Sequence, residues 1–348
     1  MLSFPSLTHL LNRHRPFLGA AKRRWVVYPG SEERTPAATY LPDTLNRVTG
    51  FWVEGDHQAL WRTERLRIDG GLVQHAATEA LEFVNVKLHE GHLYTGSAVL
   101  KLEPRAQTLK PMRGSAPRLS NAALACSGLG NRYFGHFLSD DLPLNILARE
   151  FAPPIRTERA LGPHQLQYRA LLDVHSQSYV SAHIDRLHTF IDFAQNRYKQ
   201  ERFQTIRSRL LQLHPPPSAP APGAFILRGS GGVLRRLVNE HAMAEYLANL
   251  GFVIVDPERM SVAEISQALS GVQVVVGVEG SHLLHGLWTI AERGAMLVLQ
   301  PPFRFNNVGK NYTDCLGQRY AFVIGHPQEG GFVIQLDEFK TVLDMVMG

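Results

Sequence analysis

One candidate general base stands in the segment Asn131–Pro143 (NRYFGHFLSDDLP). If residues 136–141 are helical, His136 and Asp140 lie at positions i and i+4 on one helix face. A carboxylate beside an imidazole orients the ring and stabilises its charged form, which suits a general base that deprotonates a sugar hydroxyl. The same pattern also fits a helix start with acidic residues near the positive end of the dipole and a partly buried histidine.

Two loops in the second half of the chain suit a phosphate. In Gly277-Val-Glu-Gly-Ser281, glycines allow close backbone approach, and Ser281 can cap a helix whose N-terminal N–H groups attract anions. The loop Arg228-Gly-Ser-Gly-Gly-Val-Leu-Arg-Arg236 has arginines on both sides of its glycines, and guanidinium groups bind phosphate in a bidentate manner. A tight strand-to-helix turn explains the first loop equally well, and a solvated basic loop explains the second equally well.

The chain has few signs of a metal or of a familiar nucleotide motif. Glu279, His282 and His285 are angularly spread on a helix, so we interpret them as structural or substrate-contacting residues and not as metal ligands. The sequence has no Asp-x-Asp triplet, Walker loop, H-E-x-x-H or G-x-S-x-G motif, and Gly128-Leu-Gly130 lacks the third glycine of a dinucleotide fingerprint. An enzyme that uses a nucleotide would then stabilise the leaving diphosphate with positive side chains and helix dipoles.

Strands and helices alternate in the part of the chain that carries these loops. Apolar runs are found at 224–228, 252–256, 272–276 and 295–299, and helical stretches at 236–250, from the Ser261 capping box to 271, and at 282–293. This alternation is typical of a parallel sheet covered on both faces, so we predict a Rossmann-like domain. A further strand at 320–324 and a closing helix at 337–347 complete it.

A proline-rich segment, 214–223 (HPPPSAPAPG), indicates a semi-rigid interdomain linker. It separates a predicted N-terminal domain, 1–213, from a C-terminal domain, 224–348. The pattern predicts strands in 41–103 and helices in 122–213, with helix candidates at 142–151, 165–173 and 189–213.

Composition is that of a globular protein of about two domains. The 348 residues are 44% hydrophobic and carry a net charge of +5, which favours anionic partners such as nucleotides, phosphorylated lipids, a membrane surface or nucleic acid. Nucleic acid ranks lower because aromatic residues are not interleaved with Lys/Arg clusters. Charged residues and proline interrupt each apolar run before it reaches the length of a membrane span or a signal-peptide core. Cys126 and Cys315 belong to no C-x-x-C pair, which favours reduced thiols in the cytoplasm.

In their order along about residues 125–325, these motifs resemble glycosyltransferase family 61, long described as a capsular polysaccharide biosynthesis domain. The resemblance is carried by His136-x-x-x-Asp140-x-x-Pro143, the Arg228 loop with Arg236 and Asn239-Glu240, Gly251-Phe252, Asp256-Pro257-Glu258 and Val274-Val-Val-Gly277-x-x-Gly280. The chain departs from the family pattern at Glu279, where histidine is usual, at Gly229, where arginine is common, and at His285, where asparagine is more usual.

The resemblance implies a GT-B-like α/β fold of two Rossmann-like domains, the C-terminal one built on a doubly wound parallel sheet. It also implies an inverting, metal-independent hexosyl- or pentosyltransferase of surface polysaccharide biosynthesis. A nucleotide sugar is the expected co-substrate, with no other cofactor, and a glycan or lipid-linked molecule is the acceptor. We expect such an enzyme in the cytoplasm, without a nucleic-acid partner, and a peripheral contact with the inner membrane face agrees with its basic surface.

Carried over to this chain, the resemblance makes His136 the candidate base, supported by Asp140. The residues expected to bind the nucleotide sugar are Arg228, Arg235, Arg236, Asn239, Glu258, Gly277, Glu279, Gly280, Ser281 and His282. Glu279 places a negative charge beside a phosphate site, so either the donor differs or Arg235, Arg236 or Arg304 supplies part of the phosphate grip. A catalytically lapsed GT-B-fold protein that binds glycan or nucleotide, and a sugar-nucleotide epimerase, remain as alternatives.

Overall fold

The computed structural model describes residues 15–103, 111–112, 114–229 and 235–348. The chain is an α/β protein, as the sequence predicts, and it forms two compact units. The first contains the described residues up to Ser31 together with His75–Arg202, and the second contains Glu32–Gln74 together with Phe203–Gly348. The predicted boundary at 214–223 stays a prediction.

The elements within the described residues are as follows. The strands are β1 (Arg15–Pro16), β2 (Arg23–Tyr28), β3 (Ser31–Thr35), β4 (Gly71–His75), β5 (Thr78–His89), β6 (His92–Thr95), β7 (Ala98–Lys101), β8 (Arg118–Leu119), β9 (Ala122–Leu124), β10 (Pro154–Thr157), β11 (Gln177–Tyr179), β12 (Ser181–Ile191), β13 (Gly223–Ile226), β14 (Val253–Val255), β15 (Val274–Val278), β16 (Ala295–Gln300), β17 (Arg319–Ile324), β18 (His326–Gln328) and β19 (Gly331–Val333). The α-helices are α1 (His57–Asp69), α2 (Gly128–Arg132), α3 (Phe134–His136), α4 (Leu142–Arg149), α5 (Pro163–Leu171), α6 (Arg197–Leu213), α7 (Glu240–Asn249), α8 (Val262–Ala268), α9 (Val308–Cys315) and α10 (Leu336–Met347). Helices of 3-10 type lie at Phe17–Ala20, Pro42–Arg47 and Ser281–Leu287, and a π-helical turn lies at Phe137–Asp141.

The first unit is built on a mixed sheet in the order β1-β7-β6-β5-β12-β9-β10-β11, with β2 beside β5 and β8 beside β12. Phe83, Leu88 and Leu187 are fully buried in its hydrophobic core. β9 and β12 run parallel as neighbours, so the segments that leave their carboxyl ends emerge at the same edge of the sheet. Those segments carry His136 and Lys199.

The helix candidates at 142–151 and 165–173 are confirmed as α4 and α5. The candidate at 189–213 is wrong in its first part, because residues 189–191 complete β12 and the helix begins at Arg197. The strand β12 extends this far because it pairs with β5 through Ile191, and tertiary pairing overrides the local helical period.

The second unit is built on a sheet in the order β14-β13-β15-β16-β17, with each neighbouring pair parallel. β15 (VVVGV) and β16 (AMLVLQ) are buried throughout, as expected of strands covered on both faces. The chain continues from β13 to β14 on one side and from β15 to β16 on the other. The loops after β13 and β15 therefore meet at the topological switch point, where open α/β sheets bind ligands.

The segment 32–74 packs within this second unit. Its backbone pairs with β17 through Thr39, whose N–H donates to the Tyr320 carbonyl over 3.0 Å. Arg47 Nη1 donates to Glu338 over 2.7 Å, and Glu64 accepts from the Asn307 N–H over 2.8 Å. The prediction that 41–103 is strand-rich holds from residue 71, where β4 to β7 lie, but residues 57–69 form α1.

Local chemistry explains α1. Asp56 caps it by accepting from the Ala59 N–H over 2.7 Å, and Glu64 and Ile68 are buried at positions i and i+4 on one face. Gly70 ends it with a φ of 63°.

The C-terminal alternation is confirmed, with shifted helix starts. The capping box of α8 is present, since Ser261 Oγ accepts from the Glu264 N–H and the Glu264 carboxylate accepts from the Ser261 N–H. The helix predicted from 236 begins at Glu240, because Leu237 bridges to Phe332 instead. The helix predicted over 282–293 is a seven-residue 3-10 helix, Ser281–Leu287.

The proline-rich segment has no helix or strand before β13 begins at Gly223, as predicted. It is fixed against α8 and the turn that follows, because the His214 carbonyl accepts from Ser270 Oγ over 2.7 Å and the Pro215 carbonyl accepts from Gln267 over 3.3 Å. Its role as an interdomain linker stays a prediction. Among the described residues, no helix has the length and apolar character that a bilayer crossing requires.

Candidate functional site

The predicted contact between His136 and Asp140 is present in the first unit. His136 ends α3, and Asp140 lies in the π-helical turn before α4. His136 Nδ1 lies 2.7 Å from Asp140 Oδ2, and the two side chains are 18% and 13% exposed. With the Nδ1 proton donated to the carboxylate, Nε2 is the basic position of the ring. Because Nδ1 is engaged with Asp140, Nε2 is the nitrogen that can accept a proton from a substrate hydroxyl.

Pro143 contributes to the shape of this turn. A regular α-helix would use the N–H of residue 143 to bond the carbonyl of Ser139, and proline has no N–H. The chain passes through the π-helical turn immediately before Pro143 and then continues as α4. Single π-helical turns within α-helices occur frequently at functional sites.

A buried lysine that the sequence did not indicate is the second partner of Asp140. Lys199, in the first turn of α6, donates to Asp140 Oδ1 over 3.1 Å and to the Asp192 carbonyl over 2.9 Å. Burial disfavours the charged carboxylate, but the Lys199 ammonium and the hydrogen bond with His136 hold the pKa of Asp140 below its ordinary value. Asp140 is therefore an anion that His136 and Lys199 share.

Further buried polar residues hold Lys199 in place. Arg202 donates to both carboxylate oxygens of Asp192, over 2.8 and 2.7 Å, and Thr78 donates to the same carboxylate over 2.9 Å. Asn196 Oδ1 accepts from the Lys199 N–H over 3.1 Å. In the sequence, polar residues at this helical spacing are typical of a solvated face. Burial, the property that identifies them, comes from tertiary packing.

Asp141 is a second buried carboxyl group on the same turn. It accepts from the Ser127 N–H over 3.0 Å, and a Cβ at Gly130 would overlap it. Burial raises the pKa of Asp141 to about 8. The negative charge of the nearby Asp140 also raises this pKa, whereas the hydrogen bonds from Ser127 lower it. Gly130 thus makes room for a carboxyl group.

In the second unit, the loop after β13 begins with Arg228. The Arg228 N–H donates to Glu240 Oε1 over 2.8 Å, which fixes the start of the loop against the first turn of α7. A Cβ at Gly280 would lie 3.7 Å from Arg228 Nε, so this guanidinium lies beside the loop after β15. The switch point therefore brings the two predicted phosphate loops together. Residues 230–234 of the first loop lie outside the described residues.

Glu279 directly follows β15 and is buried among cationic and amide groups. Arg235 Nη1 donates to its carboxylate, as do Arg304 Nη1 over 3.4 Å and Asn306 Nδ2 over 3.0 Å. Burial, together with the smaller effect of the positive charges of Arg304 and Arg228, lowers the pKa of Arg235 to about 9. The guanidinium therefore stays charged near neutral pH. The expected repulsion between Glu279 and a phosphate is thus offset by arginines that Glu279 itself orients.

Arg304 and Asn306 lie outside the predicted set of nucleotide-sugar-binding residues, although the sequence offers Arg304 as an alternative source of the phosphate grip. They follow β16, the strand beside β15 in the sheet. The rule that ligands bind beyond the carboxyl ends of parallel strands applies to this loop as well, and it would have indicated both residues.

His282 is the unsatisfied polar group of this site. It is 9% exposed, and among the described residues neither ring nitrogen has a hydrogen-bond partner. Burial is the main cause that holds the pKa of His282 well below its ordinary value, and the positive charges of Arg228 and Arg235 lower it further. The ring is therefore neutral at physiological pH. A neutral imidazole offers one donor and one acceptor to a ligand.

Gly280 sets the position of His282. Its φ of 156° and ψ of 169° form a backbone conformation that glycine adopts and other residues avoid, and a Cβ there would lie 3.0 Å from His282 Nδ1. Ser281 makes no side-chain cap, in contrast to the prediction, because Gly280 occupies the N-cap position. The short 3-10 helix also has little dipole, so the positive potential here comes from arginines.

The remaining predicted binding residues lie in different settings. The Arg236 side chain is exposed, and its carbonyl accepts from the Phe332 N–H over 3.0 Å. Asn239 uses its amide to hold the backbone of Ile334, over 2.9 and 3.2 Å. Glu258 is exposed beside Gly229. The space next to Gly277 is filled by the Ile226 carbonyl and Leu283, which gives this glycine a packing role.

Across the described ranges of the chain, no group of three or more His, Cys, Asp or Glu side chains is arranged to hold a metal ion. Glu279, which the sequence places near His282 and His285, is bonded to arginine and asparagine instead. Cys126 and Cys315 are buried and form no disulfide, and burial raises the pKa of Cys126 to about 12.

A comparison with protein families finds a match over the middle of the chain. The model of the family Glycosyltransferase 61 matches residues 134–298, a range that begins just before His136 and extends into β16. It includes the His136–Asp140 pair, the switch-point loops and His282. No curated protein matches the chain in sequence. Residues 134–298 of this chain are therefore similar to glycosyltransferase family 61.

Proposed function

We propose that the protein is an inverting, metal-independent glycosyltransferase that moves a sugar from a nucleoside diphosphate to a glycan or lipid-linked acceptor of a surface polysaccharide. The two-domain GT-B arrangement and a cytoplasmic location, with contact to the inner membrane face, belong to the same proposal. The observation that carries it is the switch-point cluster of the buried Arg235 and the half-buried Arg228 and Arg304, beside a neutral histidine whose ring nitrogens have no hydrogen-bond partner among the described residues. The family match supports glycosyl transfer as the reaction class.

The donor site follows from charge and hydrogen-bonding capacity. Arg228, Arg235 and Arg304 bring three positive charges, and Glu279 offsets one of them. Guanidinium groups fit phosphate oxygens in pairs and remain charged, so they would stabilise the diphosphate as it leaves. His282 would complete its hydrogen bonds with the donor.

The acceptor would react in the first unit's site. In an inverting transfer, Nε2 of His136 takes the proton of the acceptor hydroxyl while that oxygen forms a bond to the anomeric carbon. The bond from this carbon to the diphosphate oxygen breaks on the opposite face, and the electron pair leaves with the diphosphate. Asp140 stabilises the imidazolium that results.

The first test is a thermal-shift screen of the purified protein with nucleoside diphosphates and their sugars, with and without EDTA. A ligand that binds only the native state raises the melting temperature. We expect one nucleotide series to raise it equally in both conditions. No shift with any of them at millimolar concentration would contradict the donor site, and a shift abolished by EDTA would contradict metal independence. Product analysis then separates transfer from epimerisation and from binding without turnover.

Replacing His282 by leucine is expected to separate stability from binding. The substitution removes two buried nitrogens for which the described residues provide no hydrogen-bond partner, so the free energy of unfolding should stay equal or rise. Affinity for the nucleoside diphosphate should fall about tenfold, the loss of one hydrogen bond to a charged ligand. Chemical denaturation and titration calorimetry measure the two quantities.

His57→Leu is the matched control, because His57 is exposed at the start of α1 in the same unit. It should leave nucleotide affinity unchanged. If His282→Leu binds as tightly as the wild type, the ring does not contact the donor.

A further inference from the structure

A lysine with a fully buried side chain calls for explanation, because taking an ammonium out of water costs several kcal/mol unless partners compensate. The Lys199 side chain is 0% exposed, and its ammonium has two acceptors, the Asp140 carboxylate and the Asp192 carbonyl. The Asp192 carboxylate is already matched by Arg202. The charge that balances Lys199 is therefore that of Asp140, the same group that His136 contacts.

Sharing this carboxylate has a consequence for the imidazole. A carboxylate that has a histidine as its only cationic partner stabilises the imidazolium and raises the proton affinity of the ring. An ammonium on the other oxygen of the same carboxylate draws away part of that stabilisation. Asp140 thus links Lys199 electrostatically to the imidazole of His136.

The other groups around Asp140 leave Lys199 as its principal cation. Asp141 adjoins Asp140 on the same turn, is protonated over part of the neutral range and faces Arg156 from β10. The Tyr133 ring lies 5.9 Å from the His136 ring and is uncharged. Arg202 is bonded to Asp192.

We propose that Lys199 is a positioning residue that lowers the proton affinity of His136 through the Asp140 carboxylate that both side chains contact. The inference rests on the proposed function in giving His136 the role of base. The proton affinity of the ring, however, can be measured without turnover, so the two ideas can fail separately.

The test is the titration of His136 by NMR in protein with isotope-labelled histidine, the resonance being assigned with His136→Ala. Lys199→Met should raise the pKa of His136 by about one unit, since the carboxylate then serves the imidazole alone. Lys199→Arg, which keeps the charge, should restore the wild-type value. An unchanged pKa in Lys199→Met would overturn the proposal.

A double-mutant cycle separates action through Asp140 from action through space. In the Asp140→Asn background, Lys199→Met should shift the pKa of His136 much less than it does in the wild type. Equal shifts in both backgrounds would refute the role of Asp140. If Lys199→Met does not fold, Lys199→Gln takes its place in the cycle. The double variant with Asp140→Asn has no unpaired buried charge, because the carboxylate and the ammonium are both removed.

In kinetic assays, the acid limb of the pH–rate profile should move to higher pH in Lys199→Met by the same amount as the titration. A shifted NMR titration with an unmoved pH–rate profile would confirm the electrostatic coupling and contradict the role of His136 as base.

Discussion

Replacing His136 by alanine is expected to lower the rate of sugar transfer about a thousandfold, within the range that general-base catalysis contributes. The cause is the loss of Nε2, the position that Asp140 makes basic by holding Nδ1 at 2.7 Å. The donor contacts proposed above belong to other residues, so affinity for the nucleoside diphosphate should not change. Single-turnover assays measure the transfer rate, and calorimetry measures the donor affinity.

His175→Ala is the control for this variant. His175 also contacts an aspartate, Asp173, over 2.6 Å, but its side chain is 78% exposed and the pair lies in a solvated turn. The His175→Ala variant should retain the wild-type rate of sugar transfer. If His136→Ala keeps its fold by circular dichroism and also keeps the wild-type transfer rate, another group removes the acceptor proton.

Replacing Arg235 by methionine is expected to reduce affinity for the nucleoside diphosphate about 10- to 100-fold, the loss of charge-assisted hydrogen bonds worth about 1.5–3 kcal/mol. It should also lower the free energy of unfolding by up to about 3 kcal/mol, because Glu279 stays buried with less compensation. Titration calorimetry and urea denaturation measure these two effects.

The double variant Arg235→Met/Glu279→Gln distinguishes binding from stability. Removing the carboxylate should restore most of the stability, since no unpaired charge remains, while nucleotide affinity stays low. If affinity returns together with stability, Arg235 only supports the fold. Arg319→Met is the charge-matched control, because Arg319 is exposed at the amino end of β17, the opposite end of the sheet from the switch point.

The pattern of the C-terminal half made its sheet predictable. Continuous apolar runs such as Val274–Val278 alternate with capped helical stretches, and this alternation follows directly from burial on both faces of a parallel sheet. The helix α1 lies in the segment 41–103 that the pattern predicts to be strand-rich, although the Asp56 cap and the Gly70 stop mark a helix. The family match at 134–298 agrees with the resemblance read from the motifs.

The contacts of the candidate site also divide into some that the sequence predicts and others that only the tertiary structure shows. His136 and Asp140 could be paired from the sequence because both belong to one helical segment, where spacing alone fixes distance. Arg235 and Arg304 could not be assigned to Glu279, because they reach it from the loops after two other strands.

By itself, the sequence determined the α/β class, the position of the switch-point loops, the His136–Asp140 pair and the similarity to the family. Those features depend on local periodicity, capping and motif order, which are properties of neighbouring residues. Tertiary structure alone decided that Lys199 is buried against Asp140, that Glu279 is held by arginines, and that both nitrogens of His282 are buried without a hydrogen-bond partner in the part of the chain that the structure describes. The physical reason is that burial and charge pairing depend on which distant segments meet, and these set the pKa of a group more strongly than its neighbours in the chain.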